Sequence, residues 1–213
     1  MKITSVTRYK GSTYEAELDD GRKLYLHADI ITDFGIRAGM ETDRDTLRKI
    51  IYASNFRRAY QRALYLLDYR DYTYSEMLGK LMDNYKSQPL CTAVMKRLTE
   101  HGFIDDERYA ERMARKLVET KKYGYRRAKR EIMQKGIDQF IAEDALEPYS
   151  ESFSENISEL LRTKHSRYLT DREDRKSIEK VKSALVRYGY DFSEINRAVK
   201  EYFESADDFE EEN

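Results

Sequence analysis

Hydrophobic residues recur at two different periods along the chain. Within residues 1–35 the period is two, because Tyr14, Ala16 and Leu18 alternate with charged residues before a turn at residues 19–22 and a return strand follows. This alternation predicts a small antiparallel β segment. Three short strands need a neighbouring element to cover their apolar face, so we interpret the segment as a stabilising or docking appendage.

From residue 53 onward the period is helical, and the pattern repeats. Ala59 returns 51 residues later as Ala110, and Leu81 returns at the same interval as Ile132. Ile132 in turn returns 53 residues later as Leu185. Recurrence at such intervals is typical of tandem supersecondary units that cannot each bury an apolar face alone.

We therefore predict a mainly α fold in which three tandem three-helix repeats form an elongated curved body behind a small N-terminal antiparallel β segment. The predicted parts are residues 1–52 for the β segment with a linking helix, 53–104 for repeat 1, 105–150 for repeat 2, 151–206 for repeat 3 and 207–213 for an acidic tail. We interpret the tail as solvated, with an intramolecular cover for a basic face as the alternative.

Repeat 2 is bounded by residues that are typical of helix ends. Asp105 and Asp106 stand where a helix N-cap is expected, and glycines, which readily adopt positive φ, mark hinges and C-caps. The predicted hinge and cap residues are Gly102, Asp105, Asp106, Gly124, Gly136 and Gly189. Acid–base catalysis by the Asp105–Asp106 pair is the alternative, and we favour capping because both residues open a helix.

Basic charge is concentrated in repeat 2. The whole chain has 39 Lys or Arg against 40 Asp or Glu, whereas residues 108–135 contain eleven basic residues and three Glu, a net charge of +8. A solvated face is the ordinary interpretation, but segregation of charge in a near-neutral chain favours contact with a polyanion or an acidic protein. The candidate contact residues are Arg112, Arg115, Lys116, Lys121, Lys122, Tyr123, Tyr125, Arg126, Arg127, Lys129 and Arg130.

Patterns that indicate enzymes or cofactors are missing from the sequence. The three histidines and the single cysteine lack metal-ligand spacing, and no glycine-rich phosphate loop is present. We expect no catalytic residue, no cofactor and no bound metal. One unpaired cysteine fits a reducing compartment, and no apolar run reaches the length of a membrane span, so we expect a cytoplasmic protein. We also expect it to be a monomer.

A family resemblance rests on residues 98–137, which read LTEHGFIDDERYAERMARKLVETKKYGYRRAKREIMQKGI. This stretch resembles the central module of the RecX family, and residues 70–81 and 174–190 resemble the family's flanking modules. Together these segments cover residues 55–203. Tyr85 departs from the pattern, because the other two repeats have glycine at that place, and the departure leaves the turn after that helix in doubt.

The resemblance implies a non-catalytic regulator of the bacterial recombinase RecA. Family membership would imply binding in the groove of the RecA–DNA filament and inhibition of strand exchange, ATP hydrolysis and co-protease action. Homologous recombination, DNA repair and the SOS response would be modulated in consequence. Binding along the filament or at its end, and contact with single- or double-stranded DNA, stay open. The alternative is a helix-turn-helix-like module that binds DNA without a recombinase.

Overall fold

The computed structural model describes the backbone of residues 1–211 and the side chains of residues 1–205. The predicted acidic tail, residues 207–213, lies outside the described side chains. Contacts divide the chain into two compact units: unit 1 comprises Met1–Asp71 and Met77–Phe103, and unit 2 comprises Tyr72–Glu76 and Ile104–Asn213. Each helix in the part that the structure describes is too short or too polar to cross a lipid bilayer.

Unit 1 begins with a three-stranded antiparallel sheet in the order β1–β2–β3. The strands are β1 (Ile3–Lys10), β2 (Thr13–Leu18) and β3 (Lys23–His27). The predicted turn between the second and third strands is present, with Gly21 at a φ of +82°. The inward-facing side chains of the sheet are buried against Ile30, Leu47 and Ile50 from the helices that follow.

Those helices are α1 (Ala28–Asp33) and α2 (Arg44–Leu67). Asp43 caps α2, because its side chain accepts a hydrogen bond from the backbone N–H of Thr46, and this bond holds the pKa of Asp43 below its usual value. The prediction of a linking helix ending near Tyr52 is wrong, since α2 runs unbroken through that position. No glycine or proline interrupts α2, and its buried residues lie on both sides of the predicted boundary at residues 52 and 53.

Two more helices, α3 (Tyr74–Tyr85) and α4 (Gln88–Glu100), follow α2. The Thr73 hydroxyl accepts a hydrogen bond from the backbone N–H of Glu76 at 3.2 Å, as expected from the spacing of a capping box. Pro89 lies in the first turn of α4, where its missing N–H costs nothing.

Unit 2 contains the remaining helices. They are α5 (Asp106–Arg115), α6 (Tyr125–Met133), α7 (Gln139–Leu146), α8 (Ser150–Leu160), α9 (Arg175–Tyr188) and α10 (Phe192–Glu211). A π turn ends the first helix of both predicted repeats in this unit, at Lys116–Thr120 and at Leu161–His165. The mainly α fold with helical repeats and a small N-terminal antiparallel sheet is thus confirmed.

The residues that recur in sequence occupy matching places in the core. Leu81, Ile132 and Leu185, each from the middle helix of a predicted repeat, are completely buried. Ala59 and Ala110, from first helices, are completely buried as well. The periodicity therefore identified the side chains that each three-helix group turns inward.

Candidate partner-binding surface

The start of α5 uses both predicted carboxylates structurally. Asp105 is the N-cap and accepts a hydrogen bond from the backbone N–H of Arg108 at 2.9 Å. Asp106 accepts a hydrogen bond from the backbone N–H of Tyr74 at 2.8 Å, and burial raises the pKa of its carboxyl. Both side chains thus serve the backbone of helix starts, one in α5 and one in α3.

Four cations of the basic stretch are tied to groups within unit 2, and we call Lys122, Arg126, Arg127 and Lys129 the joint cations. Their carboxylate partners are Glu159 for Lys122, Asp191 for Arg126, Glu131 for Arg127 and Glu143 for Lys129. The Arg127 guanidinium also donates a 3.0 Å hydrogen bond to the carbonyl of Arg187. These cations hold helices of unit 2 together, and their charge is largely compensated.

Four other cations of unit 2 are exposed and have no carboxylate partner among the described residues. We call Lys116, Lys121, Arg130 and Lys164 the open cations. Two further predicted residues, Arg112 and Arg115, are also exposed on α5. A hydrogen bond with the Tyr149 hydroxyl raises the pKa of Arg115.

Two tyrosine rings join cations of repeats 2 and 3. Tyr123 and Tyr188 pack edge to face, with ring centroids 5.9 Å apart at 80°. The Arg127 guanidinium lies 3.8 Å from the Tyr123 centroid, and the Lys121 amino group lies 5.4 Å from it. Lys164 donates a 3.1 Å hydrogen bond to the Tyr188 hydroxyl. We call these five residues the cation–aromatic cluster.

The predicted hinge glycine positions this cluster. The backbone N–H of Gly124 donates a 2.9 Å hydrogen bond to the carbonyl of Tyr188. A Cβ atom at Gly124 would come within 2.6 Å of the backbone of Gly189, so only glycine permits the approach. The buried Tyr190 hydroxyl donates to the carbonyl of Lys122, which stands at a φ of +54°. The hinge is therefore fixed on both sides of Tyr123.

A related contact links repeat 2 to the start of α3. Gly136 has a φ of +78°, and a Cβ atom there would overlap the side chain of Ser75. The Thr73 hydroxyl donates to the carbonyl of Lys135 at 2.6 Å. In both joints, the glycine that ends one middle helix contacts the start of the middle helix one repeat earlier. In repeat 1 the aligned residue is Tyr85, the last residue of α3, and the positive φ of +49° falls on the next residue, Lys86.

Other predicted residues have different surroundings. Tyr125 is 37% exposed and packs edge to face on Phe153, so part of its ring is available to a partner. Gly102 follows α4 with a φ of +69°. Sequence reasoning missed Lys164 and Tyr188, which lie outside the dense basic stretch. The repeat pattern could have identified Tyr188, because the alignment of Gly136 with Gly189 places it next to the glycine that contacts the preceding repeat.

The described residues include no group of three or more His, Cys, Asp or Glu side chains arranged to hold a metal ion. Cys91 is buried in α4, and burial raises the pKa of its thiol. The chemistry this surface offers is therefore positive charge, guanidinium and aromatic stacking, which suit anionic partners.

Comparison with known proteins gives a consistent result. The family model described as RecX, second three-helix domain, matches residues 105–146. A regulatory protein RecX of Geobacillus kaustophilus is 27% identical over 168 residues, which span 79% of this chain and 62% of that protein. The corresponding protein of Clostridium acetobutylicum is 28% identical over 190 residues, 87% of this chain and 88% of that protein.

Solved structures agree with the sequence matches. A crystal structure of regulatory protein RecX covers 94% of this chain and 98% of its own, with a TM-score of 0.74 and 25% identity. The RecX structure from Lactobacillus salivarius covers 70% of this chain and 97% of its own, with a TM-score of 0.65 and 29% identity. Residues 105–146 thus match the second three-helix domain of RecX, and the chain as a whole is similar in sequence and fold to proteins named regulatory protein RecX.

Proposed function

We propose that this protein is a non-catalytic regulator that binds the RecA recombinase and its filament on DNA. Binding inhibits the filament's recombinase, ATPase and co-protease activities, and so modulates homologous recombination, DNA repair and the SOS response. The protein acts as a monomer in the cytoplasm. The observation that supports this proposal is the set of open cations. Two of them, Lys121 and Lys164, belong to the cation–aromatic cluster, and three lie in the module that the family model matches.

The open cations suit this role because no carboxylate among the described residues pairs with them. A joint cation would have to break its ion pair with a carboxylate of this chain before it could bind a partner. Replacing one exposed ion pair by another gives little net binding free energy. An open cation gains a carboxylate or phosphate partner and loses only water and side-chain freedom. We therefore assign recognition to Lys116, Lys121, Arg130 and Lys164 rather than to the whole basic stretch.

Inhibition requires more than binding. A protein that bound every state of the filament equally would shift no equilibrium, so this regulator must favour a state of the filament that exchanges strands and hydrolyses ATP slowly. A body of linked helical repeats suits a polymeric target, since neighbouring repeats can contact neighbouring protomers.

The test is ATP hydrolysis by the cognate recombinase on single-stranded DNA, titrated with this protein. We expect hydrolysis to fall as the protein is added, and to fall less when the open cations are changed to glutamate. An undiminished rate at saturating protein would overturn the proposal.

The alternative function is direct binding of DNA without a recombinase, and the same open cations favour it, because lysine beside tyrosine also suits a phosphate backbone. Salt separates the two functions. Binding through several phosphates weakens by orders of magnitude between low and moderate salt. Filament inhibition that persists at a salt concentration where the protein alone no longer binds DNA would favour the recombinase as the partner.

A further inference from the structure

A second aromatic and cationic surface lies in unit 1 and includes none of the candidate contact residues named above. Three rings on α2 follow one another at intervals of four residues: Tyr52, Phe56 and Tyr60. Their centroids are 6.5 Å and 6.2 Å apart, and the Phe56 and Tyr60 planes differ by only 7°. Tyr52 is 47% exposed. The Tyr52 ring is tilted by 32° from Phe56, and Phe56 and Tyr60 are half-buried, so the row lies at the surface and outside the apolar core.

This row borders a cavity of about 630 Å³, to which α1, α2 and α4 contribute. Apart from the rings, the apolar lining is only Ile30 and Ala53, so the cavity offers flat π faces rather than an aliphatic groove. Because the apolar lining is chiefly aromatic, the cavity fits a planar ligand that can stack on the rings.

Arg97 from α4 adds a cation to the row. Its guanidinium lies 5.9 Å from the Phe56 centroid and 5.4 Å from the Tyr60 centroid. Among the described residues it has no carboxylate partner, so its N–H edges remain available to an anion. Arg57, in contrast, is satisfied by Asp29 at 2.8 Å. Asp33 also lines the cavity, so the site presents aromatic rings, the Arg97 guanidinium and one carboxylate beside the Asp29–Arg57 pair.

The charge of α2 favours a polyanion over a neutral ligand. Between Arg44 and Leu67 the helix contains six Lys or Arg and a single acidic residue, Asp45. A basic helix with exposed aromatic rings has the composition that single-stranded nucleic-acid sites share, in which bases stack on rings and cations follow the phosphates.

We propose that this surface, Tyr52, Phe56, Tyr60 and Arg97, binds single-stranded nucleic acid, with bases stacked on the rings and a phosphate held by Arg97. The proposal adds an activity to unit 1 and does not rest on the proposed regulation of a recombinase, which we assigned to residues of unit 2. Stacking does not read base identity, so little sequence preference is expected.

The test uses the full chain and a fluorescently labelled oligodeoxythymidylate, with binding followed by anisotropy in the absence of any recombinase. We expect Tyr52→Ala to weaken binding roughly ten-fold and Arg97→Gln to weaken it by a similar factor. Tyr65→Ala is the matched control, because Tyr65 lies on another side of the same helix and is 50% exposed, close to the value for Tyr52. The Tyr65→Ala variant should bind the oligonucleotide with nearly the affinity of the wild type.

Several outcomes would overturn the proposal. Absence of binding by the wild type would do so, as would equal affinities of the Tyr52→Ala and Tyr65→Ala variants. Loss of binding only when the open cations of unit 2 are reversed would place the nucleic acid there instead. Weaker recombinase inhibition by Tyr52→Ala with unchanged oligonucleotide affinity would make this face a protein contact. Competition by free thymidine monophosphate distinguishes recognition of single nucleotides from recognition of a strand, and either result supports stacking at this site.

Discussion

The open cations and the joint cations come from the same protein surface but differ in what surrounds them. Lys121 and Lys122 are neighbours in sequence, yet Lys121 is exposed with only a tyrosine ring nearby, whereas Lys122 lies 2.8 Å from Glu159 and is half-buried. One dense run of basic residues thus performs two tasks. Some cations hold two repeats together, and the others remain available to a partner. Charge density alone does not separate these tasks, because the partnering carboxylates lie in distant parts of the chain.

The largest effect is expected in the core that both groups share. Ile132 is completely buried in α6, and Ile132→Ala should reduce the free energy of unfolding by about 2–5 kcal/mol, because a cavity is left beside the joint. Urea denaturation measures the change. Met133→Ala is the control, since Met133 is 39% exposed and should cost far less. Equal costs at the two positions would mean that the helix faces are assigned wrongly.

One added methyl group should disrupt the contact between Gly124 and Gly189, which links repeats 2 and 3. Gly124→Ala should lower the free energy of unfolding by about 1–3 kcal/mol, because the new Cβ would lie 2.6 Å from the Gly189 backbone. Gly79→Ala is the matched control: Gly79 lies in α3 with nothing within 4 Å of a Cβ, and should gain about 0.5–1 kcal/mol from better helix propensity. Opposite signs in urea denaturation are the expected result, and a neutral Gly124→Ala would show that the repeats do not approach so closely.

Neutralising the two groups of cations sharpens the comparison further. Changing Lys122, Arg126 and Lys129 to glutamine should lower the free energy of unfolding by up to about 1 kcal/mol for each pair that is lost. Changing Lys116, Lys121 and Arg130 to glutamine should leave the unfolding midpoint almost unchanged, because no carboxylate loses a partner. Equal unfolding midpoints for the two triple variants would show that the joint cations stabilise the fold no more than the open cations do.

The smallest effect concerns pH. Burial raises the pKa of Asp106 above 3.8, its usual value, so the charged form is disfavoured in the folded state. Stability contributed by the neutral carboxyl is therefore lost as the pH rises from about 3.8 through the raised pKa. Asp106→Asn keeps an acceptor for the Tyr74 N–H and removes the charge, so the variant should gain on the wild type between acid and neutral pH. A constant difference across that range would contradict this assignment.

Local patterns predicted most of the fold. The period-two alternation located the sheet, and the recurrence of Leu81 as Ile132 and Leu185 located three equivalent core positions. The break expected near Tyr52 was wrong, because the sequence interval between repeats does not reveal that one helix serves both the sheet and the first group of helices. Only tertiary contacts decide whether two adjacent helical patterns form one helix.

The candidate site was less accessible to sequence reasoning. Tyr123 was predicted as a contact residue, and the structure places Arg127 over its ring. Its neighbour Tyr188 and the cation Lys164 come from the next repeat, and nothing local to them indicates a surface. Which lysine faces a carboxylate depends on side chains such as Glu159 and Asp191, which reach the hinge only through the packing of α8 and the start of α10.

The most direct test of the account compares inhibition by two variants in one assay. ATP hydrolysis by the cognate recombinase on single-stranded DNA is titrated with the wild type, with a variant in which Lys116, Lys121 and Arg130 are glutamate, and with Tyr65→Ala as a surface control. We predict that the charge reversal raises the midpoint of inhibition at least ten-fold at an unchanged unfolding midpoint, while Tyr65→Ala inhibits like the wild type. Inhibition by the reversed variant at wild-type concentrations would contradict the claim that the open cations recognise the partner.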